Sequence, residues 1–220
     1  DLAEYGAEAE ERAQAADRVA LMTPVARAFL TEKAFEACVD AQQVFGGHGY
    51  VREWGMEQLV RDTRIAQIYE GTNGVQAMDL VGRKLVKNRG AFVHGYLTEV
   101  RELIAQVQDD TGLSAMAQAT ANAADAIAQA TDDLIAASAQ NADEVNAAAV
   151  DFLHAFGLLC YAHMWLMMLQ ASQGKTDDFY ADKRRVGAFF YSRMLPELEM
   201  RLAFIRGGAA PLMALSAESF

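Results

Sequence analysis

The stretch "FLHAFGLLCYAHMWLMML", residues 152–169, constrains this chain more than any other. It is apolar on every side of a helix. Such a helix is stable only inside a large core or inside a membrane. Two histidines lie within it, and no basic anchor flanks its N-terminal side, so the sequence predicts a buried core helix and no membrane span. A core helix needs other helices around it, and the rest of the chain is built to supply them. Half of the 220 residues are apolar, only 3 are proline, and runs that alternate apolar and polar are few. Ala, Leu, Met, Gln and Glu dominate, so the fold class predicted is all-α.

The helices can be placed from period and punctuation. Residues 2–20 read as a polar helix, and Pro24 as a kink or a fresh start of a helix that runs to about Phe45. Residues 46–55, "GGHGYVREWG", form a glycine-punctuated connection. A helix from about Met56 to Tyr69 carries Met56, Leu59, Val60, Thr63 and Ile68 on one stripe and ends at Gly71 and Thr72. The next begins at Asn73 and points Val75, Met78, Val81 and Leu85 inward. Asn73 and Gln76 have the spacing of a capping box. Arg83, Lys84, Lys87 and Arg89 close that helix, where its dipole favours cations. Composition changes at "NRG", 88–90, which sets the domains at 1–89 and 90–220. Four helices follow, at about 91–110, 114–139, 142–173 and 177–206. Their short turns read as an up-down bundle.

Several function classes drop out. A formal net charge of −11 argues against nucleic-acid binding. Cys38 and Cys160 have no metal or redox spacing, and they fit small core residues in a reducing cytoplasm. His154 and His163 face opposite sides of one helix, and His48 and His94 have no nearby ligand partners, so no metal site is expected. Asp109–Asp110, Asp132–Asp133 and "DKRR" at 182–185 read as solvated charge.

Two motifs exceed what folding needs. In "QVFGGHGY", 43–50, one glycine would cap the helix; the others let backbone approach a flat or phosphorylated ligand. In "IYEGTNG", 68–74, Glu70 follows an apolar run and meets a glycine turn. Partial burial there would raise its carboxyl pKa and suit it to general-base work.

These motifs carry a resemblance. "AQQVFGGHGYVREWGMEQLVRDTRIAQIYEGTNGVQAMDLVGRKL" resembles the end of the C-terminal helical domain of flavin-dependent acyl-CoA dehydrogenases. The shared pattern is Gln43, Gly46, Gly47, Gly49 and Tyr50, then Arg61–Asp62, then Gln67 to Thr72. It covers roughly residues 20–88. Residues 90–220 resemble the extra helical domain of a larger branch that includes the 3-methylmercaptopropionyl-CoA dehydrogenases.

The resemblance implies that Glu70 is the catalytic base that takes the α-proton of an acyl-CoA thioester while hydride passes from Cβ to the flavin N5, giving a trans-2-enoyl-CoA. It implies that Gly71 lies against the thioester and that Thr72, Asn73 and Gly74 contact FAD. It implies that Gln43, Val44, Phe45, Gly46 and Gly47 reach the adenosine end of FAD on a neighbouring subunit, hence a dimer or a dimer of dimers. Electron-transfer flavoprotein is the acceptor the family leads one to expect. Some relatives carry the base on an earlier helix and lack an acid at this position; Glu70 is present here. An acyl-CoA oxidase would share the base, and residues 90–220 could instead be a structural or oligomerisation module. The family's flavin-binding β-domain and N-terminal helical domain have no counterpart in these residues. The chain therefore reads as a C-terminal piece, inactive by itself.

Overall fold

The computed structural model describes residues 1–219, all helix, turn or loop with no strand among them. Contacts divide the chain into two compact units, Asp1–Leu80 and Val81 onward. The chain passes from one to the other within the π-helical turns Leu80–Val86, ahead of the composition change at 88–90.

The first unit is organised by one long rod. After a short α1 (Leu2–Tyr5), α2 runs unbroken from Ala9 to Val44. Of the kink or fresh start expected at Pro24, the fresh start is corrected: Pro24 sits inside the helix and is buried with Leu21, Val25, Ala28 and Phe29. Proline removes one backbone donor, but this apolar face stays packed, and Thr23 Oγ1 donates to the Val19 carbonyl at 2.7 Å. The 3₁₀ turns Gly46–Tyr50 and Arg52–Trp54 reverse the chain into α3 (Met56–Ala66). α3 runs back along α2: Arg64 lies over the Phe35 ring, and the Gln67 amide donates to the Thr31 carbonyl. Its inward positions are Met56, Val60, Thr63 and Gln67, an i, i+4, i+7, i+11 series. Leu59 and Ile68, assigned to that stripe by sequence, fall one step to either side and are exposed. α4 (Asn73–Asp79) follows. Its buried side is set by Ala77 and Leu80, so Val75 and Met78 point outward, against expectation; Val81 and Leu85, in the second unit, are buried as expected.

The second unit is the bundle. α5 (Ala91–Val107), α6 (Ser114–Ser138) and α7 (Ala142–Ala171) alternate in direction. Arg101 pairs with Asp125, and His94 with Asp132, which fixes α5 against α6. The fourth helix expected at 177–206 is instead α8 (Asp178–Phe189), π-helical turns over Phe190–Met194, and α9 (Glu197–Arg206). Pro196 causes the interruption, since it cannot donate and disfavours helix in the residue before it. α8 and α9 still run together down α7: Arg184 donates to the Ser172 carbonyl, Arg201 pairs with Asp151, and the Ala209 amide donates to Glu144.

α7 is the core of this unit. It is long and apolar enough to cross a membrane by composition, yet 67% of its most apolar window is buried inside the fold. Phe152 and Phe156 stack at 6.2 Å with no exposed surface. Burial of each contributes roughly 1.5–3 kcal/mol. Small residues on α6, among them Ala117, Ala124 and Ala130, let α6 approach closely. Asn141 caps α7 by accepting from the Asp143 amide, and Asp177 caps α8 by accepting from the Tyr180 amide. Cys38 and Cys160, expected in the core, are half-buried and form no disulfide.

Candidate active-site turn and glycine segment

Residues 67–73 form a tight connection between α3 and α4, held from below by α2. Gln67, buried, donates to the Thr31 carbonyl at 3.4 Å. The Asn73 amide nitrogen closes the turn onto the Gln67 carbonyl at 3.2 Å. The Asn73 side chain turns inward: Nδ2 donates to the Ala28 carbonyl and to Glu32, each at 3.2 Å, and Oδ1 accepts from Thr31 Oγ1. Thr72 occupies the N-cap position and makes no side-chain cap. The expected capping box between Asn73 and Gln76 therefore does not form, because α2 has captured the asparagine. Thr72 and Gly74 lie exposed at the start of α4, whereas the Asn73 side chain is committed to α2 and is not presented outward.

Within this turn Glu70 has φ +52 and Gly71 φ +92. Left-handed backbone is costly for a residue with a Cβ and is natural for glycine. An alanine Cβ at 71 would also lie 3.0 Å from Gln76 Nε2. The carboxylate of Glu70 was expected to be partly withdrawn from water between Ile68, Tyr69 and the glycine turn. That expectation is corrected: its side chain is 67% exposed, and Ile68 and Tyr69 are exposed too. The turn projects from α2 and does not fold over its own acid. Arg27 of α2 meets it instead: Nη1 donates to Oε2 and Nη2 to the Glu70 backbone carbonyl, both at 3.2 Å.

The second motif lies elsewhere. Gln43 and Val44 end α2, Phe45 follows, and Gly46 has φ +58. A Cβ on Gly46 or Gly47 would meet nothing within 4 Å, so this backbone is bare. Gln43, Val44, Phe45 and Tyr50 around it are exposed. Gly49 differs. It is buried, its carbonyl accepts from Gln42 at 3.1 Å, and a Cβ would collide with the Gln42 carbonyl, so its glycine serves packing. Arg27 and Gln43 are sixteen residues apart on one helix, roughly 24 Å at 1.5 Å per residue. Glu70 thus stands against the middle of α2 and the Gln43–Gly47 segment at its C-terminal end. They are not brought together within one copy.

Sequence reasoning missed Arg27, Thr31 and Glu32, which assemble the turn. Their only signal was a spacing of four or five residues on one face of α2. In the second unit His163 and His154 are buried, and the Tyr96 hydroxyl lies 2.9 Å from His163 Nδ1. Contrary to expectation, His94 does have a partner: Nε2 lies 2.9 Å from Asp132. Among the described residues no group of three His, Cys, Asp or Glu side chains assembles around it.

Bare glycine backbone at the end of α2 and a strained Glu-Gly turn beside its middle are two features of this all-α chain that packing leaves unexplained. Comparison with known proteins supplies the family. Residues 2–85 match the family described as "Acyl-CoA dehydrogenase, C-terminal domain", and residues 96–216 match "Acetyl-CoA dehydrogenase C-terminal like". The chain belongs to the acyl-CoA dehydrogenase family. It is 34% identical over 209 residues to the 3-methylmercaptopropionyl-CoA dehydrogenase of Ruegeria pomeroyi, covering 90% of this chain and 34% of that protein. It is 28% identical to the broad-specificity linear acyl-CoA dehydrogenase of Mycobacterium tuberculosis, covering 91% of this chain and 35% of that protein. A shorter match, 41% over 63 residues, joins it to a subunit of the caffeyl-CoA reductase-Etf complex of Acetobacterium woodii, covering 29% of this chain and 17% of that subunit. The chain spans about a third of the length of the first two relatives.

Proposed function

We propose that this chain is the helical C-terminal region of an FAD-dependent acyl-CoA dehydrogenase and that Glu70 is its general base. The observation that carries this reading is the backbone at 70–71. A glutamate holds a left-handed conformation immediately before a glycine that needs one, inside a chain aligned over 90% of its length with an acyl-CoA dehydrogenase. Strained non-glycine residues of this kind collect at functional turns.

The roles follow from the side chains. Glu70 takes the proton from the carbon α to the thioester carbonyl. Gly71 leaves the thioester room, since any side chain there would be strained and would point at Gln76. A flavin held here would supply the acceptor for the hydride that leaves the β-carbon. The bare backbone of Gly46 and Gly47 and the exposed Gln43, Val44 and Phe45 fit contact with a flat cofactor. Thr72 and Gly74 fit the same use, while the Asn73 side chain holds the turn in place. Glu70 stands against the middle of α2 and Gln43–Gly47 at its end; one FAD held by segments of two copies would fit that separation, which favours a dimer or a dimer of dimers. An electron-transfer flavoprotein would take the electrons onward. The base lies exposed on this unit, so the chain alone is expected to be inactive, water being a competitor that the rest of the pocket must remove.

The test is dehydrogenation of butyryl-, octanoyl- and palmitoyl-CoA by the full-length parent, wild type against Glu70→Gln. Loss of turnover by about 10³-fold or more with flavin retained supports the reading. Near-wild-type turnover in Glu70→Gln overturns it. Hydrogen peroxide produced in step with substrate would instead identify an oxidase.

A further inference from the structure

The Glu70 turn has a feature that a surface ion pair does not explain. An exposed Arg–carboxylate pair contributes little, about 0–1 kcal/mol, and it needs only the two head groups. Arg27 does something different. Its two terminal nitrogens divide between two oxygens of one residue, the Oε2 carboxylate oxygen and the backbone carbonyl of Glu70. The guanidinium is a rigid planar fork, so it couples the backbone conformation of Glu70 to the place where its carboxylate sits.

That coupling matters because the conformation is unfavourable. A glutamate at φ +52 persists only where its surroundings over-determine it. Three contacts to α2 or across the turn do so: Gln67 on Thr31, Asn73 on Ala28 and Glu32, and Arg27 on Glu70. Of these only Arg27 touches Glu70. It is also held at its own base, since it follows the buried Val25 and precedes Ala28 and Phe29 on the packed face of α2. Arg27 engages Oε2, and among the described residues no partner engages Oε1.

We propose that Arg27 is a positioning residue for the base: it fixes the left-handed Glu70 backbone through the carbonyl, anchors Oε2, and leaves Oε1 to receive the α-proton. This rests on the reading of Glu70 as the base. Arg27 touches neither substrate nor cofactor in this role and acts through Glu70. Lysine has a single ammonium head and cannot bridge both oxygens with the same fixed geometry.

The experiment compares Arg27→Met, Arg27→Lys, Glu70→Gln and the Arg27→Met/Glu70→Gln double variant in the flavin-loaded full-length parent, with octanoyl-CoA as substrate. Arg27→Met is expected to lower kcat by about 10- to 100-fold, the scale of a misplaced catalytic group, with KM changed by no more than about threefold. Arg27→Lys recovers part of that loss. On the Glu70→Gln background Arg27→Met adds no further loss, because a residue that acts only through Glu70 has nothing left to position. A merely structural role would multiply the two losses. Hydrogen exchange gives a readout independent of turnover: amides of residues 69–72 exchange about tenfold faster in Arg27→Met than in wild type. If Glu70→Gln is inactive while Arg27→Met keeps kcat and the exchange rates of wild type, the positioning role is wrong and the base assignment stands. If Glu70→Gln is active, the base assignment falls and the positioning role falls with it.

Discussion

Leu169 on α7 occupies the space that a Cβ on Gly187 of α8 would need, with Cδ2 2.8 Å from the Cβ position. Gly187 is buried and helical, so it is there for close approach and not for backbone freedom. Gly95, on the exposed side of α5, has nothing within 4 Å of its Cβ position. The same substitution is therefore expected to have opposite signs in two helices. Gly187→Ala overpacks the α7–α8 contact and should lower stability by about 1–3 kcal/mol. Gly95→Ala should raise it by about 0.5–1 kcal/mol through helix propensity. Urea denaturation midpoints of the two variants check this, and equal shifts would contradict the packing described.

Tyr191 gives the bundle an alkaline limit. The π-helical turns Phe190–Met194 aim its hydroxyl at the Ala162 carbonyl, to which it donates at 2.9 Å, and bring it to 2.8 Å from Thr120 Oγ1. Burial pushes its pKa up from 10.0 to about 12, opposed by the Thr120 hydrogen bond. The folded value lies above the unfolded one, so the folded chain holds this proton more tightly. The contribution is complete below pH 10 and is lost as pH rises from there through about 12. It amounts to at most about 3 kcal/mol. Unfolding free energy measured from pH 9 to pH 12 should fall more steeply in wild type than in Tyr191→Phe.

Asn73 belongs to the scaffold beneath the Glu70 turn. Asn73→Leu removes the bonds to Ala28 and Glu32 and the acceptor for Thr31. Leaving such half-buried groups unsatisfied costs about 1–3 kcal/mol. The loss should appear in thermal unfolding of the chain and as faster amide exchange over residues 67–73. Unchanged exchange there would show that α2 does not hold the turn through this side chain.

Gly71→Ala forces a Cβ into a backbone at φ +92. A stability loss of about 1–2 kcal/mol is expected. In the full-length parent the KM for acyl-CoA should rise as well, since Gly71 faces the thioester in the proposed arrangement. A variant that loses stability with KM unchanged would separate the turn's folding role from its place in substrate binding.

What the sequence made legible was local. Gly46, Gly47 and Gly71 announce bare or left-handed backbone wherever they occur, and the spacing of "GGHGY" to "YEGT" survives reading by eye. The apolar run of α7 declared its own burial. What stayed hidden depended on residues distant in sequence. Arg27 lies 43 positions before the acid it holds. Asn73 looked like a helix cap because capping is a local rule, and a helix 45 positions earlier took its side chain instead. Two prolines behave differently. Pro24 is carried through a helix because its apolar neighbours pack, while Pro196 interrupts one that composition alone would continue.

α7 packs on α6, which is synthesised before it, and on α9, which is synthesised after it. Its apolar residues are synthesised well before Leu198 and Leu202, which are buried only when α9 arrives. Until then the nascent chain carries a half-covered helix that is long and apolar enough to cross a membrane. The face of α7 that meets α9 is therefore the last part of this core to be sealed as the chain is made.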